Sequence, residues 1–221
     1  MSTLVISPPH YPTPAEKLAD LVIHIVGLVL AVIGGGVALA FAASHGQTGR
    51  IAAVGIYAVG LVAMLAFSTA YNFAHPKWQP FLYRLDHAGI FLMIAASYTP
   101  FTTQLLHGTW SWAMTLTVWT LAAVGIVTKL LLPRHGEPLT VLFYLALGWV
   151  VVVAIKPLVH EAPLAAIILL AVGGIVYSAG GVLFIAKHIK FRRAIWHGQV
   201  LAAAATHYAA IMVGVVLVAA K

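Results

Sequence analysis

Cysteine is absent from this chain of 221 residues. Disulfides, thiolate metal sites and cysteine nucleophiles are excluded with it. Charge is scarce as well: Asp, Glu, Lys and Arg together make up 8% of the residues, against about 25% in soluble domains. No glycine-rich phosphate cradle and no internal repeat stands out. What the chain does have is apolar residues, at 62% of the total. They fall into about seven long stretches, each near the ~20 residues that cross a bilayer. So little polar surface cannot cover a water-soluble domain, so the expected solvent is lipid.

The apolar stretches predict an all-α, seven-helix transmembrane bundle. The spans fall at about 19–43, 51–74, 85–105, 110–132, 138–156, 164–187 and 194–219. Ser44-His45-Gly46, His75-Pro76, His107-Gly108, Pro133-Arg134-His135-Gly136, Pro157 and Pro163 mark the breaks. Residues 1–14 are proline-rich and are expected to be a disordered tail; 15–221 form one membrane domain. Thr13-Pro14-Ala15-Glu16 predicts a helix start, with Thr13 as N-cap and Glu16 completing a capping box. No cleavable signal peptide is expected, because the first apolar stretch is too long and Glu16, Lys17 and Asp20 precede or enter it. Gly34-Gly35-Gly36, Gly173-Gly174 and Gly180-Gly181 predict close helix packing.

The chain is basic, with 12 Lys and Arg against 5 Asp and Glu. The cations lie in loops beside apolar stretches, which suits orientation in a membrane and not nucleic-acid binding. Lys17, Lys77, Arg84, Lys129, Arg134, Lys187, Lys190, Arg192 and Arg193 fall on one side; Arg50, Lys156 and Lys221 fall on the other. The positive-inside rule then places the N-terminus in the cytoplasm and the C-terminus outside. The partners expected are membrane lipids, and the compartment a bacterial inner membrane.

Polar residues within the spans share one depth. Glu16, Asp20 and His24 are spaced by four on the first span, as are Ser68 and Asn72 on the second and Arg193 and His197 on the last. Asp86 and His87 are expected to open the third. An unpaired charge at such depths costs about 2.5–3.5 kcal/mol on insertion scales, so paired or functional roles are expected. His207 lies about 15 Å deeper than His197 at helical rise. A transporter ranks last, since no continuous polar path crosses the bundle. A pore is not supported, because the spans lack a polar stripe. No Ser-His-acid arrangement is apparent along the chain.

Phe67-Ser68-Thr69-Ala70-Tyr71-Asn72, Tyr83-Arg84-Leu85-Asp86-His87-Ala88-Gly89-Ile90-Phe91 and Ala96-Ser97-Tyr98-Thr99-Pro100-Phe101 resemble the hemolysin III family. That family stands with the progestin and adipoQ receptors and, more distantly, the alkaline ceramidases. The stretches 16–27 and 193–197, with His207 ten further on, are similar as well, so the resemblance runs the length of the chain. It implies a zinc site at the cytoplasmic face. Its pattern is a Ser and a His four apart on the second helix, an Asp on the third, and two His four apart on the seventh. The three histidines hold the metal and the Asp holds a metal-bound water.

On that pattern Ser68 and Asp86 match catalytic positions and His197 matches a metal position. Asn72 and Arg193 occupy the other two metal positions. Asn is a poor zinc ligand and Arg is none. His75, one turn beyond Asn72, is a possible substitute; His207 is expected to lie too deep. In the alternative, Arg193 replaces the metal's charge and pairs with Asp86. Two functions follow: a membrane-homeostasis or sensor protein whose polar cluster stands where relatives hold zinc, or a zinc-dependent membrane hydrolase of lipid amides or esters. Whether the chain is an enzyme stays open here, and so does zinc.

Overall fold

The computed structural model describes residues 10–132, 137–185 and 188–218. The Pro133-Arg134-His135-Gly136 break and the cations Arg134, Lys187 and Lys221 lie outside the described residues. The described residues are helical throughout, with no strand among them. The helices are α1 (Pro14–Ser44), α2 (Thr48–Phe73), α3 (Gln79–Gln104), α4 (Gly108–Leu131), α5 (Glu137–Gly148), α6 (Ile155–Glu161), α7 (Leu164–Ile185) and α8 (Arg192–Ile211). A 3-10 turn over Pro76–Trp78 leads into α3, and a π turn over Met212–Val216 ends α8.

Six segments are long and apolar enough to cross a membrane: α1, α2, α4, Pro138–Glu161, α7 and Arg192–Val216. The chain is an integral membrane protein. The outward surface fits that reading, since Trp112 is 80% exposed and Leu116 69% exposed, which in water would form an unstable apolar patch. The 26-residue α3 equals α2 in length but is more polar, with Arg84, Asp86, His87, Thr99, Thr102 and Thr103 along it.

α1 shows how the pattern builds the bundle. Its buried residues are Asp20, His24, Gly27, Ala31, Gly35, Ala38 and Ala42. They recur every three or four positions, so one face carries only small or polar groups. The other face carries Leu18, Val22, Val29 and Val32, all exposed. Without a hydrophobic drive between helices in lipid, small residues let backbones approach. A Cβ at Gly35 would lie 3.1 Å from the Ala58 Cβ, and one at Gly181 2.9 Å from Val141. Gly36 faces open space instead. α1 packs between α2 and α8, α2 on α3, α3 on α4, and α7 on α8.

Three boundaries differ from the sequence expectation. α3 begins at Gln79, with Pro80 in its first turn where the missing N–H is free; Asp86 and His87 therefore lie inside the helix and do not open it. The fifth span is not one helix. It breaks into α5, a 3-10 stretch over Trp149–Ala154, and α6. Pro157 sits in the first turn of α6, where it is tolerated, and so does not end the span. The Tyr98 hydroxyl satisfies the break, donating to Gly148 O at 2.6 Å and accepting from Val151 N–H at 2.8 Å. Finally, disorder through residue 14 does not hold for His10–Thr13. The Thr13 capping box forms with Glu16 as expected, and His10 and Tyr11 fold back against the bundle.

Candidate functional site

Four helices bring polar side chains to one end of the bundle. α1 supplies Asp20 and His24, α2 Ser68 and Asn72, α3 Asp86 and His87, and α8 Arg193 and His197. Asp20, His24, Ser68 and Asn72 are all buried. The start of α8 is tied to the start of α1. The Glu16 carboxylate accepts from Phe191 N–H at 2.8 Å, and Phe191 has φ 57, a strained conformation for a bulky residue. That tie fastens the residue before α8 to the first turn of α1.

Hydrogen bonds assign the imidazole protons. His24 Nδ1 lies 2.8 Å from the Asp20 carbonyl, so this nitrogen carries the hydrogen and donates. His197 Nδ1 lies 2.6 Å from Asp20 Oδ1 and donates to the carboxylate. When a ring so bonded carries no second proton, its Nε2 is an acceptor. Both acceptors face one hydroxyl: Ser68 Oγ is 3.3 Å from His24 Nε2 and 3.4 Å from His197 Nε2. A hydroxyl has one proton, so it serves one ring at a time. Asn72 Nδ2 donates to Ser68 O at 2.9 Å and stands 3.5 Å from Ser68 Oγ.

The N-terminal segment closes the cluster from outside. The Tyr11 hydroxyl donates to Asp20 Oδ2 at 2.5 Å. His10 Nε2 donates to Asn72 Oδ1 at 2.8 Å. Arg193 Nε donates to the His10 carbonyl at 3.2 Å, and its Nη1 to Asn72 Oδ1 at 3.4 Å. Burial pushes the His10 imidazole below its ordinary value; the Arg193 charge adds to this, against the Asn72 hydrogen bond. Burial and the bond to Asp20 push the Tyr11 phenol well above its ordinary range. Neither residue was singled out from the sequence. The available signal was an imidazole and a phenol side by side in a run otherwise made of Ser, Pro and Thr.

A cavity of about 280 Å³ fills the middle of the bundle, near the lower end of the ~300–1,000 Å³ of small-ligand pockets. Ser68, Asn72, Asp86, Arg193 and His197 line its polar end. Met64, Met93, Ile94, Phe101, Val151 and Leu170 line much of the rest. From Asp86 to Phe101 its wall follows α3 for ~22 Å at helical rise. The shape is a long apolar chamber with polar groups at one end.

The other expected residues fall as follows. Asp86 lines the same cavity, but its carboxylate lies 3.7 Å from His87 Nδ1, and among the described residues no hydrogen bond joins it to Ser68. The Asp86–Arg193 ion pair is not formed: Arg193 turns to Asn72 and the N-terminal segment, where Tyr11 also offers its ring face at 5.8 Å. His75 is exposed and caps the 3-10 turn, its Nδ1 accepting from Lys77 N–H at 3.3 Å. His207 also borders the cavity, but deeper, with Nε2 3.4 Å from the Leu170 carbonyl. Glu16 holds Thr13 and Phe191 and stays out of the cluster. A Ser-His-acid series, not apparent along the chain, does exist in space: Ser68, His197 and Asp20 are hydrogen-bonded in order.

The family's zinc pattern does not fit these residues. A guanidinium has no lone pair to give, and Arg193 holds the amide of Asn72 at the second replaced position. A different donor set lies beside it. Asp20, His24 and His197 offer one ligand atom each within 4.8 Å of one another. All three side chains are already engaged with protein groups, and a cation there would compete with those bonds.

The family model described as "Haemolysin-III related" matches residues 15–208. The chain is 33% identical to hemolysin-3 of Bacillus cereus over 198 residues, covering 89% of this chain and 90% of that protein. It is 33% identical to the hemolysin-3 homolog of Bacillus subtilis (strain 168) over 201 residues, covering 90% and 94%. It is 30% identical to the human monocyte to macrophage differentiation factor over 207 residues, covering 90% and 84%.

Proposed function

Since the chain belongs to the haemolysin-III-related family, we propose that it is a membrane-embedded hydrolase that cleaves an acyl ester or amide bond of a membrane lipid. One observation carries this: a serine hydroxyl faced by two imidazole Nε2 atoms stands at the polar end of a long apolar cavity. Such a chamber accepts an acyl chain and presents its carbonyl to the polar groups. A free fatty acid is the product expected.

In this reading α3 is the seventh span, its polar face turned to the cavity. The cluster lies at the cytoplasmic side of a bacterial inner membrane, with the N-terminus cytoplasmic. The distribution of Lys and Arg supports that orientation, and the two Bacillus relatives support the compartment.

Two other readings have support of their own. Asn72 and Arg193 at the family's metal positions favour a membrane-homeostasis or sensor protein without catalysis. The Asp20, His24 and His197 donor set favours a divalent metal, with zinc the choice by family. Bound there, a metal would bring a water of lowered pKa to the polar end of the cavity.

The test is hydrolysis of p-nitrophenyl esters of graded chain length by the protein in lipid nanodiscs. A long-chain ester should be cleaved and an acetyl ester should not, because only the former fills the cavity. Equal rates on both, or none on either, would contradict the reading.

A further inference from the structure

The geometry points to Ser68 as a nucleophile, with His197 as its base, Asp20 as the residue that positions His197, and Asn72 with Arg193 as the donors that meet the developing oxyanion. This inference rests on the hydrolase reading and names its mechanism: a serine acyl-enzyme, formed without a metal.

Both imidazole Nε2 atoms face Ser68 Oγ at nearly the same distance. Their far sides differ. His24 rests Nδ1 on a neutral carbonyl, with the nearer carboxylate oxygen 3.7 Å away. His197 rests Nδ1 directly on the Asp20 carboxylate at 2.6 Å. Only His197 would be stabilised as an imidazolium by a contacting anion. His24 Nε2 can accept the same hydroxyl proton, but with no anion in contact it is the poorer base. The distance of 3.4 Å is long for a hydrogen bond, as is common before substrate is bound.

Ser68 Oγ attacks the acyl carbonyl carbon while its proton passes to His197 Nε2. The carbonyl oxygen takes the negative charge. Collapse breaks the acyl C–O or C–N bond, and His197 returns the proton to the leaving alkoxide or amine. Water then attacks the Ser68 ester, giving its proton to His197. The second collapse releases the carboxylic acid and restores the serine hydroxyl. Water is the only co-reactant, and the acyl chain stays in the apolar chamber throughout.

Asn72 and Arg193 have a part in this scheme. Backbone N–H groups within a helix are already used, so an oxyanion in a membrane helix bundle needs side-chain donors. The Asn72 amide is 3.5 Å from Ser68 Oγ, and Arg193 stands against its other end. The two residues that remove the family's metal ligands thereby place an amide near the nucleophile and a fixed cation against that amide.

The experiment uses the full chain in nanodiscs with a long-chain fluorophosphonate, followed by peptide mass spectrometry and by hydrolysis of a long-chain p-nitrophenyl ester. A phosphonyl adduct on Ser68 is expected. Its rate should fall about 10⁴-fold in Asp20→Asn, the loss in kcat seen when a triad carboxylate becomes an amide, and less in His24→Gln. In Asp20→Asn, kcat should fall while KM stays within about threefold, which a merely loosened fold would not produce. Hydrolysis without a Ser68 adduct, abolished by chelator and restored by zinc, would overturn the inference and leave the hydrolase reading standing. No adduct and no hydrolysis, in protein that remains monodisperse, would overturn both.

Discussion

Asp20 on the first helix and His197 on the last are joined by a hydrogen bond of 2.6 Å across 177 positions of sequence. Asp20 is fully buried and His197 partly buried. Its other carboxylate oxygen is taken by Tyr11. An acid in the interior of a bundle that lies in lipid is costly unless its lone pairs are met. Here they are met from α8 on one side and from the N-terminal segment on the other. The pair therefore closes the helix bundle and orients the ring that faces Ser68.

Removing the ring should be expensive. In His197→Ala, Asp20 keeps Tyr11 but loses its α8 partner, and leaving a buried group unsatisfied costs about 1–3 kcal/mol, more when it is charged. Asp20→Asn, which removes the charge and keeps the shape, should cost clearly less. Thermal unfolding in detergent of the two variants beside the natural protein checks the order; equal losses would mean that the charge plays no part.

The N-terminal segment should release on acidification. His10 is held below its ordinary value of 6.5 in the docked state by burial. Arg193 faces it, with Asp20 and Asp86 acting from farther off against this. A released segment takes up the proton near 6.5 and a docked one resists it. Docking is thus fully favoured above that pH and weakens as pH falls through it. Protection of the His10, Tyr11 and Thr13 amides, taken relative to the intrinsic exchange rate at each pH, should fall between pH about 7.5 and about 5.5, and His10→Gln should flatten the change.

Two glycines, Gly173 on α7 and Gly36 on α1, should behave oppositely. A Cβ at Gly173 would run into the His207 ring and Thr206 Oγ1, where overpacking costs about 1–3 kcal/mol. A Cβ at Gly36 meets nothing within 4 Å. Gly173→Ala should lower the unfolding temperature in detergent, and Gly36→Ala should leave it near the natural value.

The metal positions can be restored. Asn72→His with Arg193→His rebuilds the family's three-histidine pattern around His197. Elemental analysis of the purified variant should find zinc near one per chain, and the natural chain well below that. Zinc near one per chain in the natural protein would instead favour the Asp20, His24 and His197 donor set.

Much of this was legible along the chain. Length and apolarity set the spans, and Thr13-Pro14-Ala15-Glu16 set the start of α1, because both are local properties. The convergence of α1, α2, α3 and α8 was legible too, since fourfold spacing fixes a face and position fixes a depth. The Ser68, His197 and Asp20 series was not. It depends on how α8 is rotated against α1, which no spacing within either helix reports. The docking of His10 and Tyr11 was hidden by proline, whose abundance predicts a free tail wherever no partner is in view. The break in the fifth span was hidden because Tyr98, which satisfies it, lies about fifty residues earlier.

The most direct test is the release of fatty acid by mass spectrometry from bilayers holding either the natural protein or Ser68→Ala. The account predicts free fatty acid accumulating with the natural chain and not with a folded Ser68→Ala. Equal release from both would contradict it, because the cavity and the cluster would then stand without the hydroxyl on which they converge.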